Sequence, residues 1–176
     1  EVHPRAPHRP RRAAEGGGVT NTVILISGAR QHPDPSVATA ALADYVLNSA
    51  PGHVIVRHGD CPGDTSVDQA VAEWIVVCGE WLGVTADPMP ADWDNCAADC
   101  PTDPGHRRTK KPGDTAHPGE LNDYCPGAGP RRNGAMVRKQ PRARLLIAAP
   151  HGTSYGTRGC MRLATAAGIQ IYEVTR

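Results

Sequence analysis

Three short runs of mostly branched aliphatic residues decide what this chain can become: TVILIS (22–27), HVIVRHG (53–59) and RARLLIAAP (142–150). None alternates polar with apolar positions, so each reads as a strand buried on both faces. Such strands need cover above and below, and the intervening segments supply it. SVATAALADYVLNSA (36–50) puts Val37, Ala40, Ala41, Leu42, Tyr45 and Val46 on one helical face, with Ser36 as N-cap and Pro51-Gly52 as a stop. DTSVDQAVAEWIVVCGEWLG (64–83) is a second helix, offering Val67, Ala70, Val71, Trp74, Ile75, Val77, Cys78 and Trp81 for burial. RRNGAMVRKQ (131–140) and TRGCMRLATAAG (157–168) read as two more, the last closed by Gly168. VTADPMP (84–90) is a strand weakened by its prolines, and IQIYEV (169–174) is the final strand. Buried strands alternating with helices predict an α/β fold: a five-stranded, doubly wound, Rossmann-like parallel sheet.

One core is what 176 residues can support, and residues 21–176 are assigned to a single domain. With no Phe, 19 Gly and 17 Pro, that core must be small and built from Val, Ile, Leu and Ala. A formal charge of +1 supplies no global field for DNA or an acidic membrane, so any anion site must be local. No apolar stretch approaches the roughly 18 residues of a membrane span. Residues 1–20 are basic and Pro/Gly-rich, lack the apolar centre of a secretory signal, and read as a disordered tail. Of the six cysteines, Cys78 sits in a helical run, Cys61 and Cys160 flank loops, and Cys96, Cys100 and Cys125 share one polar segment. That distribution argues against a disulfide framework and for a reduced, cytoplasmic protein.

The polar segment, an insertion at 94–128, is too long for a structureless loop unless something pins it. Three thiolates and one imidazole form a tetrahedral zinc set. Cys96, Cys100, His106 and Cys125 are the first choice, with His117 competing for the fourth place. A closed four-ligand site would be structural, holding together a loop with too few apolar side chains to fold alone. Between the ligands, HRRTKK (106–111) is a basic cluster suited to a polyphosphate or nucleic acid.

In a doubly wound sheet, ligands bind beyond the carboxyl ends of the strands. Gly28 and Arg30 follow the first strand; His58, Gly59, Gly63 and Asp64 end or follow the second. Gly152, Thr153, Ser154, Gly156 and Thr157 follow the strand at 142–150. Bare backbone and hydroxyls running into helix N-termini suit a phosphate or ribose. Arg131, Arg132 and Asn133 add cationic and amide donors. Neither G-x-G-x-x-G nor G-x-x-x-x-G-K-[ST] occurs, so ordinary dinucleotide and triphosphate motifs are absent.

The motifs ILISGAR, HGDCPGD, PADWD, AGPRRNGAMV and APHGTSYGTRGC, in this order over roughly 22–174, resemble the SLOG superfamily of Rossmann-like nucleotide-binding proteins. The resemblance is to its small bacterial and phage branch related to YspA and YpsA. It implies a nucleotide or nucleotide-derived ligand at the carboxyl edge, with Arg132, Asn133, Gly156 and Thr157 at the site, and it suggests dimers. Enzymatic relatives, the LOG phosphoribohydrolases, carry P-G-G-x-G-T-x-x-E; here Cys160 stands where the catalytic Glu belongs. A thiol ionising near pH 8.5 is a poor substitute for that carboxylate. The expected function is therefore binding of an ADP-ribose-like molecule or nucleoside phosphate, as sensor or sequestering domain. The alternative is a nucleotide hydrolase using Asp64 or a zinc-bound water. A third reading is DNA association through the tail and the basic cluster.

Overall fold

The computed structural model describes residues 21–50, 52–102 and 105–174; the tail read in the sequence lies outside them. The chain runs β1 (Thr22–Gly28), α1 (Ser36–Asn48), β2 (Val54–His58), α2 (Val67–Leu82) and β3 (Val84–Pro88). The insertion then contributes β4 (Arg108–Thr109) and β5 (Asp123–Tyr124), before α3 (Ala128–Arg138), β6 (Leu145–Ala149), α4 (Tyr155–Ala166) and β7 (Gln170–Glu173). Five strands form one sheet in the order β3-β2-β1-β6-β7, every pair parallel. The expected doubly wound α/β architecture is what the chain adopts.

Successive residues of β1 feed two different cores, as the two-residue period of a strand requires. Ile24 and Ile26 pack with Leu42 of α1 and with Val67, Val71 and Ile75 of α2. Val23 and Leu25 pack with Met136 and Val137 of α3 and with Cys160 and Ala164 of α4. Burying each such aliphatic side chain contributes roughly 1.5–3 kcal/mol, so the central strands anchor both layers. Chain order reverses between β1 and β6, where Ser27 lies opposite Ala148, and a crevice opens at their carboxyl ends.

Several local expectations change. Ser36 is the first residue of α1 rather than its cap; the Asp34 carboxylate accepts its backbone N–H at 3.2 Å. Ala40 is exposed, while Ala38 and Leu42 are the fully buried residues of α1. In α2, Val67, Val71, Ile75 and Gly79 recur every four residues and take the sheet-facing side. Val77 and Trp81 therefore face outward, 81% and 75% exposed. The pair β4–β5, antiparallel with Arg108 opposite Tyr124, is too short to leave an alternating pattern in the sequence.

Two close contacts fix the layers near the crevice. A Cβ at Gly28 would overlap the side chain of Val67, so β1 admits α2 at a distance only glycine allows. Arg57, 1% exposed, donates from Nε to Asp87 Oδ2 at 2.7 Å and from Nη1 to the Met136 and Lys139 carbonyls at 3.1 and 2.9 Å. One guanidinium thereby joins β2, β3 and the end of α3.

Candidate functional site

A cleft of about 680 Å³ occupies the crevice at the β1–β6 switch point. That volume suits a nucleotide-sized ligand and exceeds what a lone phosphate would fill. Gly28 and Arg30 line it from the first loop and Gly59 from the second. Gly152, Thr153, Ser154, Gly156 and Thr157 line it from the loop after β6 and the first turn of α4. Loops distant in sequence thus meet at one rim. The Ser154 hydroxyl is nevertheless engaged locally, accepting from the His151 N–H at 2.9 Å and donating to the His151 carbonyl. Thr157, 3% exposed, makes no side-chain hydrogen bond among the described residues.

Two helices aim their N-termini at the cleft, and neither α3 nor α4 carries an acidic residue in its first turn. At α4 the first-turn amides leave a positive end. At α3 they are largely spent, Ala128 N–H on the Cys125 carbonyl at 3.1 Å and Arg131 N–H on that of Gly127 at 3.0 Å, with proline at 130. Arg132 of α3 adds a full charge. Its Nη1 donates to the Gly59 carbonyl and, at 3.3 Å, to that of Met89; its Nε donates to Asn133 Oδ1 at 2.9 Å. Asn133, 7% exposed, donates from Nδ2 to the Gly156 carbonyl at 3.0 Å, tying α3 to α4.

Not every sequence-selected residue reaches the cleft. Gly63 and Asp64 are exposed on the loop after β2, outside the lining. Arg131 turns away: it donates to Cys100 Sγ at 3.0 Å, Cys125 Sγ at 3.4 Å and the Asn95 carbonyl at 3.0 Å. His58 is buried behind the lining, its Nδ1 accepting the Asp60 N–H at 3.1 Å and its Nε2 without a partner among the described residues. Burial lowers the pKa of His58, although Asp68 and Asp60 pull the other way, so its ring is held neutral.

Instead, Asp68 is the acidic residue on the cleft floor. It sits in the first turn of α2, 6% exposed, and its Oδ2 accepts the Cys61 N–H at 3.2 Å. Burial raises its pKa, against the opposing pull of Arg132 and His58. Cys160 is fully buried; burial also raises its pKa, so it rests as a thiol.

In the insertion, Cys96, Cys100, His106 and Cys125 bring one ligand atom each within 4.8 Å of one another, and this cluster could hold a metal ion. Cys100 and Cys125 sulfurs lie 3.7 Å apart and His106 Nε2 is 3.3 Å from Cys125 Sγ. Tetrahedral Zn–S bonds of about 2.3 Å would set sulfurs about 3.8 Å apart, so the spacing matches. Burial pushes the Cys125 thiol up, but hydrogen bonds from Arg131 and His106 outweigh it and bring its pKa down to about 6. His117 is excluded from the set: it stacks on Tyr124 at 3.7 Å between centroids and bonds Asp114 through Nδ1 at 2.8 Å.

The insertion also walls the cleft. Trp93 and Ala116 line it, and the Arg30 guanidinium lies 5.2 Å from the Trp93 ring centroid and 3.4 Å from His117 Nε2. Of the basic cluster, Arg107 is engaged by Asp123 at 2.7 Å and Lys110 by the Gly119 carbonyl at 3.2 Å, while Arg108 and Lys111 are exposed. Those internal bonds reduce what the cluster can offer a polyanion.

Over 149 residues, 84% of this chain and 92% of the relative, the sequence is 32% identical to the Gene 61 protein of Mycobacterium phage D29. The chain belongs to the Gene 61 family. No protein-family profile and no solved structure matches it. For this Gene 61 family member, the lining residues that sequence reasoning left out of the site include Ser27, Asp68, Trp93, His151 and Tyr155. Asp68 is the only acidic residue in the first turn of any described helix, and that position was its signal. Among the described residues no helix is long and apolar enough to cross a membrane.

Proposed function

We propose that the cleft binds a nucleotide or nucleotide-derived ligand, an ADP-ribose-like molecule or nucleoside phosphate, and that the protein acts as a sensor or sequestering domain. The observation that carries this reading is the meeting of two acid-free helix N-termini and Arg132 at a cleft of about 680 Å³. Phosphates would sit against the Gly152–Thr157 turn and the first turn of α4, where backbone amides face the Arg132 guanidinium across the cleft. Binding is favoured over hydrolysis because Asp64 lies off the cleft and none of the four metal-cluster residues lines it. Cys160 cannot supply the missing carboxylate.

We further assign the cluster to structural zinc. Three sulfurs and one imidazole close a tetrahedral shell, leaving no ligand position for water. When bound, the metal would hold the insertion in place and, through Trp93 and Ala116, the cleft wall.

Isothermal titration with ribonucleoside mono- and diphosphates and ADP-ribose tests the reading. At least one should bind, and Arg132→Ala should weaken it at least tenfold while the protein stays folded by circular dichroism. Absence of heat with every compound would end the proposal.

A further inference from the structure

We propose that Asp68 reads sugar hydroxyls, making the cleft selective for a ligand that carries a vicinal diol beside its phosphates. The inference rests on the nucleotide reading above and says which part of that ligand is discriminated.

Three helix starts border the cleft, and they differ in charge. Those of α3 and α4 have no acidic residue, whereas α2 places Asp68 there. The cleft is thus polarised, with one side suited to anions and the other to hydrogen-bond donors. Phosphate oxygens would be repelled at Asp68; hydroxyl groups, which donate, would be held there.

Asp68 is built for an incoming partner. It is 6% exposed and lines the cleft, yet only Oδ2 is engaged, by the Cys61 N–H at 3.2 Å. Its other oxygen makes no hydrogen bond among the described residues. Among the described residues, His58 supplies the buried side-chain polar atom that has no hydrogen-bond partner. With Nδ1 accepting from the Asp60 amide, the ring proton resides on Nε2, which is buried and unpartnered. Val67, the residue before Asp68, packs so closely on Gly28 that a Cβ there would overlap it, which seats the start of α2 against β1.

Four ribonucleoside diphosphates, their four 2′,3′-dideoxy counterparts and inorganic pyrophosphate, titrated calorimetrically into the full chain, form the test. Wild type should favour at least one ribonucleotide over its dideoxy partner by on the order of tenfold to a hundredfold, as a charged hydrogen bond would. Asp68→Ala should erase that preference without weakening pyrophosphate. Asp68→Asn, which keeps the bond from the Cys61 amide, serves if the alanine variant does not fold, and should reduce the preference several-fold. Equal binding of ribo and dideoxy forms to wild type overturns the role of Asp68 and leaves the nucleotide reading standing. Failure of all eight nucleotides, and of the monophosphates and ADP-ribose named above, to bind removes both.

Discussion

Arg57 and Asp87 face each other across β2 and β3 with 2.7 Å between Nε and Oδ2, and the arginine is 99% withdrawn from solvent at 1% exposure. The remaining guanidinium protons go to carbonyls at the end of α3, which is where a helix terminus favours positive charge. Arg57→Ala removes the donors that the Met136 and Lys139 carbonyls accept from. Asp87 keeps its ion pair with Lys139 at 2.6 Å, so urea denaturation should show a loss of about 1–3 kcal/mol, the cost of the carbonyls left unsatisfied. A loss below about 1 kcal/mol would mean that water replaces the guanidinium at no cost. Burial raises the Asp87 pKa, but hydrogen bonds from Lys139 and Arg57 outweigh it and hold the carboxyl below its usual range. Its stabilisation is present above the unfolded value of about 3.9 and fades as pH falls through the folded value.

Metal content is directly countable. Native mass spectrometry of freshly purified protein should find one zinc per chain, and Cys125→Ser should lose it. Chelation should lower the thermal midpoint by several degrees, since the metal binds the folded insertion and not the unfolded chain. His117→Ala should retain the metal, whereas His106→Ala should weaken it. Equal retention by both histidine variants would contradict the ligand set.

Gly156 offers a cleaner probe of the cleft than its neighbours. A Cβ there would meet nothing within 4 Å, and its backbone is helical. Gly156→Leu should therefore leave stability within about 1 kcal/mol, helped by better helix propensity, while filling the cleft mouth. Nucleotide affinity should drop at least tenfold. Unchanged affinity would place the ligand elsewhere.

Asp68 also makes a pH signature. Burial holds its folded pKa above the unfolded one; Arg132 and His58 oppose that, and Asp60 adds to it. Between those two values the folded protein keeps a proton that the unfolded chain releases, and above the folded value both carry the carboxylate. The associated stability is full below about pH 3.9 and is lost as pH rises through the folded value. Asp68→Asn removes that loss, so its thermal midpoint should exceed wild type by more at pH 8 than at pH 4. A constant offset would show that the carboxyl ionises alike in both states.

The sheet was legible because its strands, such as 22–27, are apolar without interruption, and Gly168 closes α4 with φ +70° as its position implied. The cleft loops were legible too: sheet topology alone brings Gly28, Gly59 and Gly156 to one edge. Facing was harder to read. Residues 131 and 132 differ by about 100° around a helix, and only tertiary packing says which arginine meets sulfur and which meets the cleft. His106 and His117 lie in irregular chain, where spacing carries no period to choose between them. Asp68 resembled an ordinary helix-start acid, and Trp81 belonged to a helix apolar on more sides than the sheet could cover.

Arg131 grips the sulfurs and Arg132 the cleft from consecutive positions on α3. A helix turns as one body, so it acts here as an axle with two spokes. Any rotation that loosens the first spoke swings the second through the same arc. The sulfur cluster and the ligand seat are therefore mounted on one shaft, and the grip of the first spoke fixes the bearing of the second.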